Sequence, residues 1–262
     1  MRAAGLDIGS RSVELVVVEG SDVVATARID TTPSLEADCE RLLAATSFDR
    51  LVVTGYGRAL AEVKFAADSV TEIRAYARGA EACFPGCRTV LDIGGQDTKA
   101  IALDGQGRVV KFEMNDRCAA GAGKFLEIMA QALGYSLPEF GAAALRGADS
   151  LRLSSMCAVF AESEVVGLVT KGERREDIAR AVHRAIARRS SAMLQRVSTR
   201  PPVVFAGGAA LNPCLIQMIS EALGQAVHVP EDPPMLGALG AALLARDRDR
   251  SAHSGQPLTP GA

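Results

Sequence analysis

Tryptophan is absent, and three tyrosines with eight phenylalanines bring aromatics to only 4% of 262 residues. Hydrophobic content is nevertheless 48%, so the core must be aliphatic and alanine-rich. The length suits one large domain or two small ones. Charge of either sign is not in excess: the net charge of −2 gives no global pull toward nucleic acid. No apolar run approaches the ~18 residues of a membrane span. No signal-peptide pattern follows Met1-Arg2-Ala3-Ala4. A cytoplasmic protein without nucleic-acid or membrane partners is therefore expected. Disulfides are rare in that compartment, so the six cysteines are expected as thiols or metal ligands. None falls in a C-x-x-C pair, which argues against a zinc ribbon, and Cys83-Phe-Pro-Gly-Cys87 has an unusual spacing for zinc. Two nucleotide-binding signatures are also missing. There is no G-x-x-x-x-G-K-[ST], which excludes a P-loop, and no G-x-G-x-x-G after a strand, which disfavours a dinucleotide Rossmann site.

What is present begins with a repeat. Residues 3–8, 12–18 and 23–29 have the pattern of three short strands, with turns at Gly9-Ser10-Arg11 and Gly20-Ser21-Asp22. Residues 90–93, 98–103 and 108–112 follow the same plan, with turns at Gly94-Gly95-Gln96-Asp97 and Asp104-Gly105-Gln106-Gly107. Leu6-Asp-Ile-Gly9 and Leu91-Asp-Ile-Gly94 are identical tetrapeptides 85 residues apart. That spacing is a duplication on the scale of a subdomain. Each copy places an Asp (Asp7, Asp92) before a Gly-rich hairpin turn. Such a turn exposes successive N–H groups as an anion-binding nest. The Asp can hold Mg²⁺ through water. Two such hairpins facing each other would clamp a polyphosphate, and the repeated Asp-x-Gly context favours this over two ordinary turns.

Two cysteines open helical stretches. In Asn115-Asp-Arg-Cys-Ala-Ala-Gly-Ala-Gly123, Cys118 precedes an amphipathic pattern of Phe125, Ile128, Met129, Ala132 and Leu133. The free N–H groups and positive dipole end of a helix favour a thiolate there. Nucleophile, redox thiol, cluster ligand and an incidental small apolar residue all stay open for Cys118. Cys157 repeats the theme 39 residues later, in Ser155-Met-Cys-Ala-Val-Phe-Ala-Glu-Ser-Glu164. Glu162 could orient an attacking water for phosphoryl transfer; Glu164 reads equally well as a helix-surface acid.

Between and after these motifs, helices are expected near 35–46, 58–66, 71–84, 137–145 and 176–197, with strands at 50–54, 151–154, 202–206 and 227–229. The arginines of 176–197 read as a solvated face, and His183 as a surface or packed residue rather than a ligand. Gly207-Gly208 after a strand suits a flat adenosine ring, and Asn212-Pro213 starts a helix. Pro85-Gly86 marks a boundary between subdomains 1–84 and 85–234, with helix 235–246 returning to the first. Residues 247–262 read as a disordered tail.

This order of hairpin, hairpin, carboxylate-bearing helix and Gly-Gly turn resembles the acetate and sugar kinase, heat-shock chaperone and actin ATPase superfamily. Within it, the two cysteine motifs, Thr54-Gly-Tyr-Gly-Arg58, Asp92-Ile-Gly-Gly-Gln-Asp97 and Gly237-Ala-Leu-Gly-Ala-Ala242 resemble the activators of 2-hydroxyacyl-CoA dehydratases and the ATPase subunits of benzoyl-CoA reductase. The resemblance covers roughly residues 3–246. It implies an α/β fold of two duplicated ribonuclease H-like subdomains, the actin-like ATPase fold. It further implies a homodimer sharing one 4Fe–4S cluster, with Cys118 and Cys157 as ligands from each subunit. The partner would be a dehydratase or reductase iron–sulfur protein, which accepts one electron as ATP is hydrolysed. Asp7, Gly9, Ser10, Arg11, Asp92, Gly94, Gly95 and Gln96 would hold phosphate and Mg²⁺, and Gly207 and Gly208 the adenosine. Asp7, Gln96 and Glu162 are the catalytic candidates. Glu14 departs from the superfamily, which often has Lys there; it is expected to point away, with Arg11 supplying charge instead. Cys39, Cys83, Cys87 and Cys214 are expected to be structural. The alternatives are an ATPase subunit of a reductase complex, a small-molecule kinase without a cluster, and a nonenzymatic nucleotide-binding module.

Overall fold

The computed structural model describes residues 1–117, 122–154 and 157–254. The chain divides into two compact units, Met1–Ala82 with the chain from Met235 onward, and Cys83–Pro234.

In the first unit, β1 (Arg2–Ile8), β2 (Ser12–Glu19) and β3 (Asp22–Asp30) form an antiparallel meander. A parallel partner cannot be reached by a tight turn. Helix α1 (Leu35–Ala44) therefore carries the chain across to β4 (Arg50–Thr54), which lies parallel to β1. Helix α2 (Arg58–Phe65) leads to a two-residue edge strand, β5 (Asp68–Ser69), which is too short for any sequence pattern to announce. Helix α3 (Glu72–Cys83) follows. The strand order is β3-β2-β1-β4-β5.

The second unit repeats that order from the other end: β10-β9-β6-β7-β8. Strands β6 (Thr89–Ile93), β7 (Thr98–Leu103) and β8 (Val109–Asn115) make the antiparallel meander. The long crossover comprises α4 (Gly123–Ala132), α5 (Leu137–Arg146), α6 (Ala158–Thr170) and α7 (Arg175–Val197). It returns the chain to β9 (Val203–Ala206), parallel to β6. Helix α8 (Pro213–Leu223) and β10 (Val227–His228) complete the unit. The sequence repeat is thus one copy each of a whole sheet. Residues 151–154, expected as a strand, pair with no sheet.

Strands β1 and β2 are buried over six consecutive residues, as both faces of their sheet are covered. One face packs Leu6, Ile8, Leu15 and Val53 against Cys39, Leu42 and Ala61 of α1 and α2. On the other, Ala3, Val16, Val18 and Val52 meet α9 (Leu236–Ser254). Small residues permit this approach: a Cβ on Gly5 would lie 2.1 Å from the Ala238 carbonyl oxygen. Helix α9 also runs eight residues past the expected end of order at Arg246. The first two of these residues are ion-paired across the chain: Asp247 with Arg78 at 3.0 Å, and Arg248 with Asp68 at 2.9 Å. Residues 255–262 of the expected tail lie outside the described residues. In the second unit Phe125, Met129, Phe140, Ile178, Val182, Phe205 and Leu215 form one aliphatic and phenylalanine core.

Candidate functional site

The two hairpins match at the level of single hydrogen bonds. Gly9 N–H donates to the Ser12 carbonyl at 3.0 Å, and Gly94 N–H donates to the Asp97 carbonyl at 3.0 Å. Gly9, Ser10, Gly94 and Gly95 are half-buried, whereas Arg11 and Gln96 are exposed at the turns. Behind each turn stands its aspartate. Asp7 is 5% exposed and Asp92 is fully buried.

Each aspartate is backed by a glycine on the neighbouring parallel strand. Thr54 is the register partner of Asp7, and Ala206 that of Asp92. The next residues, Gly55 and Gly207, have φ of +92° and +80°. A Cβ on Gly55 would sit 2.5 Å from Asp7 Oδ1, and one on Gly207 would sit 2.3 Å from Asp92 Oδ1. Glycine is required at both, for φ and for space. Gly237 of α9 approaches Asp7 from the other side, where a Cβ would fall 1.9 Å from Oδ2. Gly55 and Gly237 stand in the Thr54–Arg58 and Gly237–Ala242 motifs with nothing local to link either to Asp7. The signal available was that Gly55 ends β4 just as Gly207 ends β9. Of the expected adenosine pair, Gly207 packs on Asp92, while Gly208 is exposed with open space beside its Cα.

The copies differ in one charged position. Asp92 faces Lys99 across β6 and β7, and Asp7 faces Glu14 across β1 and β2. Lys99 is 1% exposed; its Nζ lies 3.0 Å from Asp92 Oδ2 and 2.7 Å from Asp97 Oδ2. Buried Lys99 and Asp92 with half-buried Asp97 make a triad that no local pattern announces, although the spacing of seven residues from Asp to Lys is visible in the sequence. Glu14, expected to point away from the phosphates, stands opposite Asp7 on the paired strand. Directly opposed cross-strand residues share a face, and Glu14 is itself 5% exposed, accepting a hydrogen bond from Ser12 Oγ.

Among the cysteines, Cys118 lies outside the described residues. Cys157 is the exposed N-cap of α6, with φ −90° and ψ 139°. The approach to it is fastened by Glu164, which accepts from Ser154 N–H at 2.9 Å and Ser154 Oγ at 3.0 Å. Glu162 is exposed on the same helix, about 7 Å along the axis from Cys157 at 1.5 Å per residue. Cys39 and Cys214 are buried, and burial pushes each thiol up to about 11, which keeps it protonated. Buried Cys87 donates to the Thr89 carbonyl at 3.4 Å. Cys83 is exposed at the end of α3. Among the described residues, no group of three or more His, Cys, Asp or Glu side chains is placed to hold a metal ion.

His183 is packed, not exposed. Its Nδ1–H donates to the Ala179 carbonyl at 2.7 Å, and its Nε2 accepts from Asn212 Nδ2 at 2.9 Å. Asn212 Oδ1 in turn caps α8 by accepting from the amides of Cys214 and Leu215.

Comparison with known proteins gives the site its context. Residues 4–245 match the BadF/BadG/BcrA/BcrD ATPase family. The chain belongs to this ATPase family. It is 36% identical to the 2-hydroxyisocaproyl-CoA dehydratase activator of Clostridioides difficile over 97% of this chain and 98% of that one. It is 37% identical to the activator of lactoyl-CoA dehydratase of Anaerotignum propionicum, over 94% and 97%. A solved structure of the activator of the 2-hydroxyisocaproyl-CoA dehydratase from Clostridium difficile, with bound ADPNP, superimposes with a TM-score of 0.90 over the full length of both chains. The family ATPase here therefore has the actin-like ATPase fold, with its duplicated α/β units. No helix among the described residues is long and apolar enough to cross a membrane.

Proposed function

We propose that this chain is an ATP-dependent iron–sulfur activator that passes one electron to a 2-hydroxyacyl-CoA dehydratase or a related reductase. The observation that carries this reading is the coexistence, in a member of this ATPase family, of duplicated Asp-Gly hairpins with an exposed cysteine capping a helix.

The hairpins supply the ATPase half. The amides of Gly9, Ser10, Gly94 and Gly95 receive phosphate oxygens, and Asp7 and Asp92 hold Mg²⁺ through water. Exposed Arg11 adds positive charge at the first turn. Gly208 leaves a flat open surface for adenosine, and Gly207 seats that turn against Asp92. For orienting the attacking water, Gln96 is the better placed candidate because it is exposed at the hairpin turn itself. Glu162 shares its helix with Cys157 and is the second candidate. A steeper fall in hydrolysis for Gln96→Ala than for Glu162→Gln would decide between them.

The cysteines supply the electron-transfer half. The donor set fits an iron–sulfur centre: Cys157 is exposed, and the amide end of α6 favours an anionic ligand. A 4Fe–4S cluster, when bound, supplies a one-electron carrier. Cys118 and Cys157 give two thiols per chain, too few for four ligands, so a two-fold homodimer provides the rest. The test is anaerobic purification with iron and sulfide quantification on wild type and Cys118→Ala. About four irons per dimer, lost in the variant, is the expected result. An iron-free wild type after cluster reconstitution would leave a small-molecule kinase. Copurification with larger subunits would instead favour a subunit of a reductase complex.

A further inference from the structure

In each hairpin, the residue that closes the turn is clasped to the residue that faces the aspartate. Asp97 and Ser12 occupy equivalent places, since each carbonyl accepts from the hairpin glycine, Gly94 or Gly9, at 3.0 Å. Two positions on, Lys99 and Glu14 stand opposite Asp92 and Asp7 on the paired strands. A spacing of two places side chains on one face of a strand. Asp97 Oδ2 accordingly lies 2.7 Å from Lys99 Nζ, and Ser12 Oγ donates to Glu14 Oε1. The clasp recurs in both copies, but only in the second does it grip a cation beside the aspartate.

That cation is shared. Lys99 Nζ lies 3.0 Å from Asp92 Oδ2, slightly farther than from Asp97 Oδ2. An ammonium has three N–H donors and can serve both carboxylates. Lys99 and Asp92 are buried, where attraction between unlike charges is strong, whereas Asp97 is half-buried. Two carboxylates around one ammonium leave a net negative charge on the triad. With Asp97 neutral, the ammonium would spend its charge on Asp92 alone and the remaining pair would have none. Lys99 also approaches Asp92 from Oδ2 only. Beside Oδ1 stands Gly207, where a Cβ would lie 2.3 Å away, so the missing side chain keeps room on that side of the carboxylate.

We propose that Asp97 is a positioning residue for the metal: it holds the Lys99 ammonium to one side of Asp92 and so keeps Asp92 electronegative enough to attract the Mg²⁺ that accompanies the nucleotide. The proposal rests on the reading of the second hairpin as a phosphate and Mg²⁺ site.

Asp97→Asn is the probe, because it keeps the side-chain shape and the carbonyl that closes the turn and removes only the charge. The measurement is the affinity of the anaerobically purified protein for a fluorescent ADP, titrated with Mg²⁺ and repeated in EDTA. The Mg²⁺ concentration for half-maximal binding should rise roughly tenfold, the equivalent of one weakened charge interaction. Affinity in EDTA should be unchanged or tighter, since a negative charge has left the site. Asp97→Glu, which restores the charge, should return toward wild type. An unchanged Mg²⁺ requirement overturns the proposal. So does a loss of affinity that is equal with Mg²⁺ and with EDTA, which would mark a merely distorted hairpin.

Lys99→Gln separates action through Lys99 from direct attraction of the metal by Asp97. Once the ammonium is gone, adding Asp97→Asn should change nothing further; a second tenfold rise overturns the proposal. Should Lys99→Gln not fold, a crystal structure of Asp97→Asn with Mg²⁺ and ADP decides. Lys99 Nζ drawn onto both Asp92 oxygens supports the proposal, and Nζ left in place overturns it. Wild type that binds ADP equally well with and without Mg²⁺ overturns it while leaving the phosphate reading standing. Wild type that binds no ADP in either condition overturns the hairpin reading and the proposal with it.

Discussion

At the scale of single residues, energy is concentrated where the backbone or burial allows one solution. Ala66, just after α2, has φ of 48°, a left-handed conformation that costs an L-residue about 1 kcal/mol. It is exposed and a helix C-cap. Ala66→Gly should therefore stabilise the first unit by roughly 0.5–1 kcal/mol in a denaturant titration. His183 works in the opposite sense. Burial holds the folded ring down at about 4, below the ordinary value near 6.5. The folded state needs the neutral ring, so the unfolded chain takes the proton first as pH falls. Stability is then complete above about pH 6.5 and declines toward about pH 4, by roughly 3 kcal/mol across the window. Urea midpoints measured down that range should fall more steeply for wild type than for His183→Gln; parallel curves would exclude His183 as the cause. This burial was hard to foresee, because His183 sits among arginines on α7 and its partner Asn212 is 29 residues away.

At the scale of the element, the hairpin is the repeating device, and its two copies have been charged differently. In the second, Lys99 neutralises Asp92 in a dry environment. Removing one member of a buried pair leaves the other uncompensated, so Lys99→Met should cost about 3–5 kcal/mol or prevent folding. In the first, Glu14 occupies the position equivalent to Lys99, opposite Asp7. Glu14→Lys should create the matching ion pair and, if the first hairpin holds phosphate as proposed, remove a negative charge beside it and tighten nucleotide binding by roughly tenfold. Fluorescent-nucleotide titration checks this, and an unchanged or weaker affinity would show that Glu14 lies outside the influence of the phosphates. The hairpins were legible in the sequence because a turn is specified by its own few residues. Strand β5 was not, since two residues carry no period, and its place depends on β4 beside it.

At the scale of the whole molecule, the duplication gives each unit its own sheet and aspartate, and Cys118 and Cys157 both fall within the span of the second unit. On the proposed activator reading, a variant that cannot hold the cluster should still bind nucleotide. Cys157→Ser is expected to abolish iron incorporation while ADP affinity stays within about twofold of wild type, the scatter expected for a surface change. A large parallel loss of ADP affinity would mean that the cysteine is needed for the fold. The extended α9 belongs to this scale too. Asp247 and Arg248 read as the start of a disordered tail until Arg78 and Asp68, far back in the chain, are placed against them.

The sequence by itself determined the duplicated meanders, the Asp-Gly turns, the small-residue helix expected at 235–246 and the two cysteine motifs. Each of these depends on side chains within a few positions of one another. Only the tertiary structure decided that Glu14 would be buried opposite Asp7, that Lys99 would join two aspartates, and that Gly55 and Gly237 would enclose Asp7. Those outcomes depend on groups brought together from distant parts of the chain. Their energies come from excluding water around charges and close-packing backbones, which local residue preferences do not encode.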